Sequence, residues 1–363
     1  MSLSVGDPIY LDHNATTPVD PRVVEAMAPY LEQLFGNPAS VEHVHGHRAQ
    51  LAVIKAREQI AASIGARENE IILTASCTEA DNIAILGSAR AQPDKRHIVT
   101  SAIEHPAVLE PCRHLKKEGY ELTVLSVDEQ GRVASSDVEA AIRHDTLLVS
   151  IMGANNEVGT IQPIAEIGET CERRGVLFHT DLAQVMAHRK VNVVSEHIHL
   201  ASLSGHKVYA PKGVGALYVR SRSPRARIRP IMFGGGQEKG IRPGTIAVPL
   251  AVGLGEALEI AGRQAAEDNE RLLAMTRSFV KAIQQDLPNV HFNGDPENRI
   301  ANNVSLSIPG VEPLALIHKL NTVASFSASS ACATEKVQTS PVLLAMFGDI
   351  PRAQLAFRET KCR

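Results

Sequence analysis

Lys207 follows a histidine in SLSGHKVYAPKGVGALYV, residues 202–219, and is trailed by glycine, proline and small apolar residues. Burying an ammonium removes its hydration, which is costly unless the charge is paired or neutralised. Such a lysine either ends a strand and points into solvent, or it is a working amine. Asp181 closes the apolar run VLFHTD, where a half-buried carboxylate keeps its charge best beside a cation. Read instead as the N-cap of HTDLAQ, the same residue has a purely local task; the two readings differ in where the carboxylate points. A third segment, Ser76-Cys77-Thr78-Glu79, offers hydroxyls at a helix start, where backbone N–H groups receive phosphate. A Schiff-base amine, a carboxylate for a protonated ring nitrogen and a phosphate cradle are what pyridoxal phosphate requires. Lys207, Asp181 and residues 76–79 match those needs in that order.

Distant residues can meet only if a fold brings them together. Between about Glu70 and Val219, short apolar runs alternate with amphipathic stretches of helical period: EIILTAS, HIVTSAI, ELTVLSV, LLVSIMGA, VLFHTD, IHLASLS and GALYVRS. That alternation predicts an α/β fold with a doubly wound, mostly parallel sheet. Open sheets of this kind bind ligands beyond the carboxyl ends of their strands. Those ends carry Ser76 to Thr78, His105, Asn155, Asp181 with Gln184, and Ser204 to Lys207. From about Val248 to Gln284 the Ala-, Leu- and Glu-rich sequence predicts a long helix with a break near Gly262, and a domain boundary is expected within it. After Pro288 the pattern becomes that of a smaller α+β unit: VHFNG, NNVSLSI, a helix at PLALIHKL, then ASFSASSACATEKVQTSP. The expected division is a large domain of residues 17–260 and a small domain of residues 1–16 and 261–363.

With 363 residues, 44% of them hydrophobic, the chain can bury a large core. A formal net charge of −3 without long basic blocks argues against nucleic acid and anionic membranes as partners. MSLSVGDPIYLDHN lacks the basic and apolar regions of a signal peptide, and no run approaches the ~20 apolar residues of a membrane span, so a cytoplasmic location is expected. The five cysteines, Cys77, Cys112, Cys171, Cys332 and Cys362, are scattered and form no C-x-x-C pair, which supports neither a disulfide framework nor a zinc site.

Nine stretches carry a more specific signal. They are YLDHNATTPVDPRVVEAM, FGNPAS, TASCTEADN, IEHPAV, ANNEVGTIQPI, FHTDLAQ, SGHKVYAPKGVGALYV, FGGGQEKGIRPGT and SSAC. In this order, over nearly the whole length, the chain resembles the pyridoxal-phosphate cysteine desulfurases of the nitrogen-fixation and iron–sulfur-assembly type, which are fold-type-I enzymes. The resemblance implies that Lys207 carries the cofactor as a Schiff base, that Asp181 pairs with the pyridine nitrogen, and that Gln184 meets the phenolic oxygen. It implies that His105 stacks on the ring, that Asn155 meets substrate and cofactor, and that Thr78, Ser204, His206 and the backbone of Cys77 hold the phosphate. Thr245 of RPGT would reach the phosphate of a neighbouring subunit, making a homodimer. Cys332 of SSAC would attack the sulfur of bound L-cysteine, keep it as a persulfide and pass it to a sulfur acceptor or scaffold protein. Its serine-, alanine- and threonine-rich surroundings suit a thiolate that must enter a site and leave it again.

The chain departs from the family at two places. Cys77 takes a position that is usually glycine; if that residue needs positive φ, a cysteine there costs energy, and otherwise only the pocket shape changes. At the C-terminal end, IPRAQLAFRETKCR stands where the family has Arg-Phe-Ser-x-x-Arg, whose first arginine binds the substrate carboxylate. A gapless alignment puts Ala356 there; a two-residue deletion puts Arg358 there, which the need for a cation favours. Arg363 and Arg352 are alternatives. Three rival functions are a selenocysteine lyase, a degenerate member that binds cofactor without turnover, and a nicotinamide dehydrogenase, which would need a G-x-G-x-x-G that the first strand lacks.

Overall fold

Alternate residues of the central strands belong to two different cores. Leu73, Val99, Val149, Ala201 and Ala216 join one apolar cluster. Their chain neighbours Ile72, Ile98, Leu148, Leu200 and Leu217 join another on the opposite face. A two-residue period with both faces buried requires helices on both sides. The computed structural model supplies them; it describes residues 7–328, 339–348 and 356–360, the last five as backbone.

The strands are β1 (Ile9–Tyr10), β2 (Ile71–Thr74), β3 (His97–Ser101), β4 (Glu121–Leu125), β5 (Thr146–Ser150), β6 (Leu177–Asp181), β7 (Leu200–Ser204), β8 (Gly215–Val219), β9 (His291–Asn293), β10 (Asn303–Ser307), β11 (Ala324–Ser325), β12 (Ser327–Ala328) and β13 (Ala356–Thr360). Seven of them form one sheet in the order β2-β8-β7-β6-β5-β3-β4. Only β8 is antiparallel to its neighbours. All seven are the strands expected from the sequence, and the carboxyl ends of β2, β3, β5, β6 and β7 therefore open on one edge. A four-stranded sheet, β12-β13-β10-β9, and a β1-β11 pair form separately.

The helices are α1 (Pro21–Glu32), α2 (Val44–Ser63), α3 (Cys77–Ala91), α4 (Pro106–Lys117), α5 (Ser135–Ala141), α6 (Ile164–Arg174), α7 (Val248–Asp286), α8 (Pro313–Leu320) and α9 (Pro341–Phe347). The first cluster receives apolar side chains from α2, α6 and α7, the second from α3 and α4. The break expected at Gly262 is absent: α7 runs unbroken for 39 residues. A helix-interior glycine costs only about 1 kcal/mol relative to alanine, and the buried run Ala251, Leu254, Leu258, Ala261 and Ala265 holds the helix on both sides of it. No helix among the described residues is long and apolar enough to cross a membrane.

Candidate active site

All five expected strand-end segments meet in a cleft of about 250 Å³, the one after β5 through Met152, Ala154 and Asn156. Its walls include Cys77 and Thr78 after β2, His105 after β3, Asp181 and Gln184 at and after β6, and Ser204, His206 and Lys207 at and after β7. The edge needs no special arrangement beyond topology, since parallel strands deliver their carboxyl ends to the same side.

Each wall residue has a local reason for its place. Ser76 caps α3 by accepting the Glu79 N–H at 3.1 Å, so the first N–H groups of that helix, on Cys77 and Thr78, face the cleft end. Arg242 Nε donates to Glu79 Oε1 at 3.0 Å and ties the later glycine-rich loop to this turn. Cys77 is the first residue of α3 and lies outside the left-handed region, so no backbone strain attends the cysteine. Only the cleft surface has changed, through a thiol that donates to Asp181 Oδ1 at 3.4 Å.

The two readings of Asp181 are both realised, one oxygen for each. Oδ1 accepts the Ala183 N–H at 2.8 Å, the local capping task. Oδ2 has no hydrogen bond among the described residues, and the carboxylate lines the cleft while only 7% exposed. Lys207 does not project freely into solvent: it sits in the one-turn helix Gly205–Lys207, and its Nζ donates to the carbonyls of Asn14 and, at 2.8 Å, Ala15. Gln184 Nε2 donates to Asn14 O at 3.0 Å. His105 is both the satisfied histidine and the cleft residue: its Nδ1 accepts the Ala107 N–H at 3.1 Å and caps α4, while the ring lines the cleft.

Burial sets the charge states. Burial holds His105 below the usual imidazole range, Lys207 adding to the effect and Asp181 opposing it. His206, whose Nδ1 lies 3.1 Å from Thr16 Oγ1, is lowered to about 4 by burial and by Lys207 and Lys212. Beneath the cleft, burial raises Glu104 to about 8 while Ser101 Oγ and Met152 N–H donate to its Oε1. His179 is lowered to about 3 by burial, with Ser150 Oγ at 2.8 Å and Ser202 Oγ at 3.0 Å on its two nitrogens.

Other expected residues stand elsewhere. Asn155 does not line the cleft: its carboxamide donates to Ile103 O and accepts from the Glu157 and Val158 N–H groups, so it shapes the wall from behind. Asn156 lines the cleft in its place. Thr245 is exposed and away from this cleft. Residue 358 lies mid-strand in β13, paired with Ser305 and Ser327. Cys332, Arg352, Cys362 and Arg363 lie outside the described residues. The sequence reading passed over Asn14 and Ala15, whose carbonyls receive Lys207; the HNAT within the first motif was their signal.

The donor set fits pyridoxal phosphate. An amine and a carboxylate stand in one cleft, hydroxyls of Thr78 and Ser204 line it, and the first helix N–H groups, without partners among the described residues, end at it.

Comparison with known proteins agrees with this chemistry. The profile of the family described as "Aminotransferase class-V" matches residues 9–349. The chain is 45% identical over 352 residues to the protein named cysteine desulfurase from Homo sapiens, covering 97% of this chain and 77% of that one. It is also 45% identical to cysteine desulfurase IscS of Rickettsia bellii, over 97% of this chain and 85% of that one. Among solved structures, one described as a NifS-like protein superposes with a TM-score of 0.90 at 36% identity, covering 98% of this chain and 94% of the other. Another, described as SspA in complex with cysteine, gives a TM-score of 0.85 at 35% identity, covering 97% and 98%. The chain therefore belongs to the class-V aminotransferase family of pyridoxal-phosphate-dependent enzymes.

Proposed function

We propose that the protein is a cysteine desulfurase that converts L-cysteine to L-alanine and carries the released sulfur on Cys332 as a persulfide. The observation that supports this most is the shared cleft of Lys207 and the open oxygen of Asp181, in a chain whose relatives bear that enzyme name. When bound, pyridoxal phosphate supplies an electron sink for the carbon that loses a proton.

The residues of the chain do the rest. Lys207 Nζ takes the Cα proton and later returns one to the product. Asp181, its Oδ1 already fixed by Ala183, would keep a proton on the cofactor's ring nitrogen through Oδ2. Gln184 donates toward the phenolic oxygen; the helix N–H groups of Cys77 and Thr78, with Thr78, Ser204 and His206, receive the phosphate. His105, held below the usual imidazole range by burial, would stand against the cofactor ring when it is bound, and its Nε2 would carry the thiol proton. Asn155 acts as a positioning residue for the wall. Arg358 binds the substrate carboxylate. The Cys332 thiolate bonds to the substrate sulfur as the carbon–sulfur bond breaks, and the bonding pair remains on the carbon framework that becomes alanine. In the same reading the protein is a cytoplasmic homodimer, Thr245 serving the partner's phosphate site, and the persulfide passes to a sulfur-acceptor or scaffold protein. Residues 17–260 form the large domain, and 1–16 with 261–363 the small one.

The test compares L-cysteine and L-selenocysteine as substrates for protein loaded with pyridoxal phosphate. Alanine release from cysteine at rates comparable with those from selenocysteine supports the proposal. Turnover of selenocysteine alone would make the protein a selenocysteine lyase, and turnover of neither would make it a non-catalytic member.

A further inference from the structure

We propose that Cys77 is a positioning residue that tunes the cofactor's ring: its thiol donates to Asp181 Oδ1 and, together with the Ala183 N–H, fixes that carboxylate so that Oδ2 is presented to the pyridine nitrogen. The inference rests on the pyridoxal-phosphate reading above and deepens it. Three facts carry it. The thiol is within bonding distance of Oδ1, at 3.4 Å. The second donor to the same oxygen is Ala183 N at 2.8 Å, and Oδ2 has no hydrogen bond among the described residues. Finally, one side-chain atom each of Cys77, Asp81 and Asp181 lie within 4.8 Å of one another, so the thiol stands beside two acidic groups and has an acceptor at hand.

Electrostatics decide which species the sulfur is. The thiol faces Asp181 on β6, Asp81 one turn further along α3, and Lys207 after β7, with His105 at the start of α4 across the cleft. Burial, then the two carboxylates, push Cys77 well above the usual thiol range, and Lys207 only partly offsets them. It stays S–H, a donor. A protonated thiol is a poor nucleophile, so Cys77, though it lines the cleft, is not a second sulfur carrier. An S–H donor drains some charge from Oδ1 and keeps the carboxylate from rotating. Without it, Asp181 is more negative, and a more negative neighbour favours the protonated forms of the groups beside it.

The experiment uses the full-length protein loaded with pyridoxal phosphate, as wild type, Cys77→Ser, Cys77→Ala and Cys77→Gly. Two quantities are read: the pH midpoint of the cofactor's visible absorption band, and the affinity of the cofactor-free protein for pyridoxal phosphate. Loss of a hydrogen bond to a charged group predicts a midpoint raised by about half a pH unit and affinity lowered about threefold in Cys77→Ala and Cys77→Gly. Cys77→Ser restores a donor and is expected to keep the wild-type midpoint. Wild-type midpoints in Ala and Gly, or equal shifts in Ser and Ala, would overturn the proposal, because then only the volume of the side chain matters. A wild-type protein that forms no visible band would overturn the cofactor reading itself and this inference with it. Should the Ala variant not fold, Gly, the residue usual at this position in the family, gives the same comparison against Ser.

Discussion

A lysine, an aspartate and a hydroxyl-bearing turn were legible because each has a chemistry that its neighbours in the sequence cannot explain. Lys207 and Asp181 end apolar runs, and the structure turns both to one cleft. Asn155 and Asn156 are neighbours at the start of a turn beyond β5, so a sequence position adjacent to the cleft does not say which asparagine lines it. Asn155 satisfies the backbone behind the wall and Asn156 lines the front. The carbonyls of Asn14 and Ala15 were harder to read: a backbone acceptor has no side-chain chemistry, and HNAT marked the segment only as part of a motif. The direct prediction at this scale concerns the amine. Lys207→Ala is expected to remain folded, to lose all cofactor fixable by borohydride, and to lose at least about a thousandfold in alanine formation, the scale of losing both nucleophile and base. Mass spectrometry after borohydride treatment checks this, and cofactor fixed to another lysine would refute the assignment.

Elements were read more securely than their interruptions. All seven strands of the main sheet were legible, because β-branched runs bounded by polar residues have few other uses in a chain of this composition. Gly262 was overread as a break. Propensity at one position is a small term, and the buried stripe of α7 outweighs it. Its Cβ position is open, with nothing within 4 Å, and its φ is not positive. Gly262→Ala is therefore expected to stabilise the protein by roughly 0.5–1 kcal/mol, read as a higher urea midpoint with unchanged alanine formation. Destabilisation would mean that the helix needs glycine's freedom there.

The whole molecule has a pH response that the sequence could not show, since it depends on which histidines the core excludes from water. Burial lowers His179 to about 3 and, with Arg220, His199 to about 4. These groups bind protons in the unfolded chain from about pH 6.5 downward but resist them when folded, so stability falls as pH drops from about 6.5 toward 4. Glu104, raised to about 8, acts in the opposite sense: it binds its proton more readily when folded, and its contribution is lost as pH rises from about 4.5 to 8. Asp81, also raised, has the same sense as Glu104. Lowered values at His206, His105, His97 and His13 add to the histidine side. The balance predicts an unfolding free energy that rises between pH 5 and 6.5, by about 1.4 kcal/mol per pH unit for each net proton, read as a higher urea midpoint. A flat or falling midpoint over that interval would show that the buried carboxyls dominate.

The central claim is that sulfur leaves cysteine on Cys332, and a single-turnover experiment tests it most directly. Protein loaded with pyridoxal phosphate is mixed with less than one equivalent of L-cysteine in the absence of other thiols, quenched with an alkylating agent, digested and analysed by mass spectrometry while alanine is quantified. The account predicts one alanine for each cysteine consumed, a matching mass increment of one sulfur atom on the peptide bearing Cys332, and neither sulfur nor stoichiometric alanine in Cys332→Ser. Stoichiometric alanine with the added sulfur on Cys77 or Cys362, or with none on any cysteine, would contradict it.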